Sequence, residues 1–201
     1  MSEPRPIIMA ITGASGAPYG VRLLQALVQA ERTVSLLVSG HGLRLIQTET
    51  SLASMDGLRA HIGAAAWDRR VTVYDDADRG AGPASGSHRA SAMVVCPCSM
   101  GTLAAIAAGT SRSLVERAAD VTLKERRPLV LVTRETPLSS IHLENMLRVT
   151  QAGAVVMPAS PGFYHRPTRI EELVDFVVAR VLDHLGVATE LGPRWEEMAE
   201  G

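Results

Sequence analysis

The chain is expected to be α/β, a three-layer, doubly wound parallel sheet. Three observations predict this. Short apolar runs without polar alternation recur along the 201 residues, the pattern of strands buried on both faces. Helix-compatible segments separate them, so that parallel neighbours are joined by right-handed crossovers. The residues after most of the runs are small, hydroxyl-bearing or charged, which suits a cleft beyond the carboxyl ends of the strands.

The first run, Ile7–Ile11, ends in the turn Gly13-Ala-Ser-Gly16, and a helix is expected over Val21–Ala30. The other strand segments are Val34–Val38, Val71–Tyr74, Ala92–Cys96, Leu129–Val132 and Val155–Met157. Between and after them, helices are expected over His41–Thr48, Leu58–Ala65, Thr102–Ala108, Ser113–Lys124, Ser140–Ala152 and Ile170–Leu185. The last is clearest: Leu173, Val174, Val177, Val178, Val181, Leu182 and Leu185 form one apolar stripe, and Gly186 suits its C-terminus. Asp75–Ser91, rich in Gly, Ala and Ser, reads as a flexible loop. One domain is expected over residues 1–201, with a C-terminal tail from about 186 that contains Trp195.

A net charge of −1 gives no basic field to draw nucleic acid or an anionic membrane. No apolar run reaches the roughly 18–20 residues of a membrane span, and Met1-Ser-Glu-Pro-Arg5 lacks an apolar signal region, so the cytoplasm is the expected compartment. Cys96 and Cys98 are too close for a structural disulfide and too few for a zinc site; they read as small residues closing a strand. The six histidines show no metal-binding spacing, and no G-x-S-x-G elbow is present.

A strand turning sharply into a helix leaves backbone N–H groups and the positive end of a helix dipole facing outward. The turn Gly13-Ala-Ser-Gly16 therefore reads as a phosphate cradle, with Ser15 adding a hydroxyl; a glycine-rich turn needed only for tight packing is the alternative. GASGAPYG at 13–20 is neither G-x-G-x-x-G nor a Walker loop, and Ser39 stands where a dinucleotide fold carries an acid. A mononucleotide such as FMN fits better. Pro97-Cys-Ser-Met-Gly-Thr102 opens a second helix from a strand end, with Ser99 and Thr102 as caps or ligand contacts. Arg134-Glu135, directly after a buried run, offers an anion clamp beside a general acid/base. The cluster at Lys124 and the cation at Arg180 have solvated-surface readings as well.

Together, GASGAPYG at 13–20, PCSMGTLAAIAAG at 97–109, RAADVTLKERRPLVLVTRETPL at 117–138 and PASPGFYHRP at 158–167 closely resemble the UbiX-type flavin prenyltransferases, within the homo-oligomeric flavin-containing proteins. The resemblance implies a flavodoxin/Rossmann-like fold. It also implies transfer of a dimethylallyl group from dimethylallyl monophosphate to N5 and C6 of reduced FMN, without a metal. The product, prenylated FMN, would serve a UbiD-type decarboxylase, and the enzyme would be a homo-dodecamer with sites at subunit interfaces. By motif match, the implied FMN contacts are Gly13, Ala14, Ser15, Ser39, Cys98, Ser99, Met100, Gly101 and Arg134. The implied catalytic residues are Ser15, Glu49, Lys124 and Glu135, and the prenyl-phosphate contacts Lys124, Tyr164, Arg180 and the tail residue Trp195. An FMN-dependent cysteine decarboxylase, with His41 near the place of its catalytic histidine, and a non-catalytic flavin carrier are the competing readings.

Overall fold

The computed structural model describes residues 5–192. Its strands are β1 (Ile7–Ile11), β2 (Val34–Val38), β3 (Val71–Tyr74), β4 (Ala92–Cys98), β5 (Leu129–Thr133) and β6 (Val155–Pro158). They form one parallel sheet in the order β3-β2-β1-β4-β5-β6. Every residue of β1, β4 and β5 is buried, which is why these segments carry no polar alternation. The edge strand β3 exposes Thr72 and Val73.

Alternate strand residues feed two cores, one on each face. Ile7, Met9 and Ile11 pack with residues of α1 (Ala17–Gln29), α2 (Gly40–Glu49), α3 (Met55–Ile62), α4 (Ala64–Arg70) and α8 (Ile170–His184). Ile8 and Ala10 point the other way, into residues of α5 (Met100–Ala108), α6 (Leu114–Lys124) and α7 (Ser140–Gln151). The result is the three-layer, doubly wound arrangement the sequence implies.

Three segments depart from expectation. Helix α1 starts earlier, at Ala17, with Pro18 in its first turn, where a fixed φ favours the helix and a missing N–H is harmless. The helix expected over Leu58–Ala65 is two helices, parted at Gly63, whose φ of 99° strains any L side chain. The segment Asp75–Ser91 is anchored. Pro83 and Ala84 are buried in a short 3-10 turn, Arg127 donates to the carbonyls of His88 and Gly86 at 2.7 Å each, and Asp76 accepts the N–H of Val115 at the start of α6. Its small residues serve packing.

Candidate active site at the carboxyl edge of the sheet

From β1 the sheet grows toward β2 and β3 on one side and toward β4, β5 and β6 on the other. The connections after β1 and β4 diverge at this switch point and leave a crevice between them, the usual ligand position in open α/β sheets. Thr12, absent from the sequence-based set, ties its two sides together. Its hydroxyl donates to the Pro97 carbonyl at 2.9 Å and accepts the Ser99 N–H at 2.9 Å. A hydroxyl residue between a buried strand and a glycine turn was the available signal.

The glycines here answer to packing. A Cβ on Gly13 would lie 2.6 Å from Cβ of His41, and one on Gly42 would lie 2.3 Å from the Ile11 carbonyl oxygen. Helix α2 thus starts hard against β1. Ser39 caps it by accepting the Gly42 N–H at 3.1 Å, and its own N–H reaches the Ile11 carbonyl.

The start of α1 already holds an anion, and it belongs to the protein. Glu49, the last residue of α2, accepts the N–H groups of Gly16 at 2.7 Å and Ala17 at 2.8 Å. Burial pushes the Glu49 carboxyl up, but the Ser15 hydroxyl, the two amides and the charge of Arg134 outweigh it and hold the group below its ordinary value. This corrects the expectation that a ligand phosphate sits on the first amides of α1: the positive helix end attracts an anion, and Glu49 supplies one. Free donors lie instead at α5. Ser99 caps that helix through the Thr102 N–H at 3.2 Å, while the amides of Met100 and Gly101 have no hydrogen-bond partner among the described residues. Space beside Gly101 is open, the nearest atom to an added Cβ being Ser99 Oγ at 3.9 Å.

Arg134, just past β5, donates from Nε to the Ser15 carbonyl at 3.1 Å. Glu135 accepts the Thr136 N–H at 3.1 Å and lines a small recess with Arg134, Leu138, Met146 and Ser160. The structure therefore brings Gly13, Ala14, Ser15, Ser39, Glu49, Ser99, Met100, Gly101, Arg134 and Glu135 to one edge of the sheet. Cys98 arrives there by its main chain only. Its thiol is buried, and burial pushes it up to about 12. The thiol of Cys96 is raised further, by burial and then by Cys98.

Other candidates lie elsewhere in the protomer. Lys124 ends α6, shortly before β5 begins, and so sits at the amino edge of the sheet beside Gly86, paired with Glu125. The length of β5, about 16 Å at 3.3 Å per residue, separates it from the cradle. Arg180 lies on α8 along the outer strand β6, paired with Asp183 at 2.9 Å. Tyr164 is 44% exposed in the loop after β6, against Phe176. Trp195 lies outside the described residues.

The cradle suits a flavin mononucleotide on the structure's own terms: unused helix amides, hydroxyls at Ser39 and Ser99, and open room over Gly101 surround a crevice with a cation at its rim. A family model described as Flavoprotein matches residues 1–182. A flavin prenyltransferase UbiX of Pseudomonas aeruginosa is 54% identical over 98% of this chain and 97% of its own. The crystal structure of AnUbiX (PadA1) in complex with FMN and dimethylallyl pyrophosphate superposes with a TM-score of 0.89 at 44% identity, covering 96% of this chain and 98% of that one. A dodecameric FMN-dependent UbiX-like decarboxylase from Escherichia coli O157:H7 gives a TM-score of 0.87, also at 44% identity, over 94% and 98%. With the prenyltransferase likeness running through nearly the whole chain, this protein belongs to the UbiX-type flavin prenyltransferases of the flavoprotein family.

Proposed function

We propose that the chain transfers the dimethylallyl group of dimethylallyl monophosphate to N5 and C6 of reduced FMN and releases prenylated FMN. The observation that carries this reading is the joined cluster of Ser15, Glu49 and Arg134 beside the unused amides of α5. A flavin carrier needs only the phosphate cradle and has no use for a carboxylate and a guanidinium held together at its mouth.

Reduced FMN, when bound, supplies the nucleophilic N5 and C6. Gly13, Ala14, Ser39, the Cys98 main chain, Ser99, Met100 and Gly101 hold it, with Ser15 and Arg134 at the boundary toward the second substrate. An allylic C–O bond breaks only when the departing phosphate is stabilised. Lys124 and Arg180 supply charge and Tyr164 a hydroxyl donor to stabilise the phosphate as charge develops on it. Glu135 protonates the leaving phosphate, and Ser15, held by the Glu49 carboxylate, links the flavin side to the phosphate, which takes the proton lost at C6. Trp195 closes the pocket against water.

One protomer does not bring Lys124 and Arg180 to its own cradle, so neighbouring copies supply them in a homo-dodecamer. Helix α7 offers apolar surface for such contacts, with Leu143 and Leu147, one turn apart, both more than half exposed. The product passes to a UbiD-type decarboxylase in the cytoplasm.

Release of inorganic phosphate from dimethylallyl monophosphate tests the reading. Phosphate should appear only when reduced FMN is present, in step with flavin consumed. Release that is independent of flavin, or none at all from protein shown to bind FMN, overturns it.

A further inference from the structure

The residue after Tyr164 has no role in the chemistry above, yet its setting is unusual. His165 lies flat on Phe176 of α8, with ring centroids 5.5 Å apart and planes 1° from parallel. Tyr164 stands edge-on to both rings, 5.7 Å from each, at 77° to His165 and 76° to Phe176. Both ring nitrogens of His165 are buried, and neither has a hydrogen-bond partner among the described residues. Gly162 packs against the same group: a Cβ there would come within 2.9 Å of the Tyr164 ring and 3.1 Å of Phe176.

A histidine usually acts through its nitrogens, as acid, base, ligand or hydrogen-bond partner. With both nitrogens buried and unpartnered, those uses are idle, and what the residue contributes is a flat face. Edge-to-face contacts prefer a narrow range of geometries. Two such contacts, to rings stacked on each other, fix both the tilt and the rotation of a half-exposed tyrosine. The loop turns at this point, with the Arg166 N–H on the Phe163 carbonyl at 2.9 Å, and the ring contacts act on the tyrosine side chain that this turn presents.

Resting on the reading of Tyr164 as a donor to the prenyl phosphate, we propose that His165 is a positioning residue for it. Stacked on Phe176, it holds the tyrosine ring so that its hydroxyl is in place before the phosphate arrives.

The test compares H165A, H165F, Y164F and the double variant Y164F/H165A, reading KM for dimethylallyl monophosphate, kcat and FMN affinity. H165A should raise the donor KM about tenfold and leave FMN affinity within about twofold. H165F keeps the flat face without the nitrogens and should restore the donor KM. In the Y164F background H165A should add nothing. An H165F as impaired as H165A means the nitrogens matter and overturns the proposal, as does an additive double variant. Loss of FMN binding in both His165 variants makes the residue part of the scaffold and also overturns it. A Y164F protein with unchanged donor KM, alongside an impaired H165A, faults the assignment of Tyr164 itself and so the reading beneath the proposal.

Discussion

Replacing Glu49 with Gln probes the carboxylate that the fold sets on helix amides. The wild-type group accepts the N–H of Gly16 at 2.7 Å and of Ala17 at 2.8 Å, with the Ser15 hydroxyl and the Arg134 charge close by. Glutamine keeps the length but offers one acceptor oxygen, no charge, and an NH2 group facing donors. Hydrogen bonds to a charged acceptor contribute about 1.5–3 kcal/mol against about 0.5–1.5 for neutral ones. Glu49 is only partly buried, so screening by water takes the difference to its lower end, about 1 kcal/mol. For a chain of this size that is a Tm loss of about 2–4 °C. The sign with pH follows from the folded pKa lying below the ordinary 4.5. The contribution is fully present above the unfolded value and is lost as pH falls through the folded one. Denaturant unfolding at fixed protomer concentration, repeated from about pH 7 down to acid, should show a constant gap that closes at low pH. A Glu49→Gln protein as stable as wild type at neutral pH, or a gap that persists into acid, refutes the reasoning.

Three further outcomes are expected. Burial first, and then the charge of Arg127, hold His88 below its ordinary 6.5, so the unfolded chain takes up the proton first as pH drops; stability should decline from about pH 6.5 downward, less steeply in His88→Gln, and equal slopes would contradict this. The buried thiols, with Cys98 pushed up to about 12, should resist iodoacetamide at pH 8 until the chain is unfolded, and prompt labelling of native protein would contradict their placement. Arg180→Ala should weaken dimethylallyl monophosphate binding more than FMN binding, measured by calorimetry, and the reverse order would reassign the cation.

Much of the fold could be read from single residues in their runs. Runs such as Ile7–Ile11 and Leu129–Val132 announce themselves because burial on both faces removes the polar alternation. The tight turns at the carboxyl edge were visible for a similar reason, since Gly13 and Gly42 stand where Cβ of His41 and the Ile11 carbonyl leave no room for a side chain. What escaped depends on residues distant in the chain. Glu49 reaches the amides of Gly16 and Ala17 across more than thirty positions, so nothing local shows that α1 carries its own anion. The loop after β3 looked slack because Gly, Ala and Ser favour flexibility, whereas Arg127 and Asp76 pin it. The break at Gly63 was hidden inside an apolar, helix-compatible stretch. The position of Lys124 was there to be deduced: a residue between a crossover helix and the next parallel strand must lie at the amino edge, away from the cradle.

The most direct test is the mass of the flavin after anaerobic incubation of the protein with reduced FMN and dimethylallyl monophosphate. Prenyl transfer predicts a flavin heavier by one dimethylallyl unit, formed only with protein present. Recovery of unmodified FMN from protein that binds both compounds would contradict it.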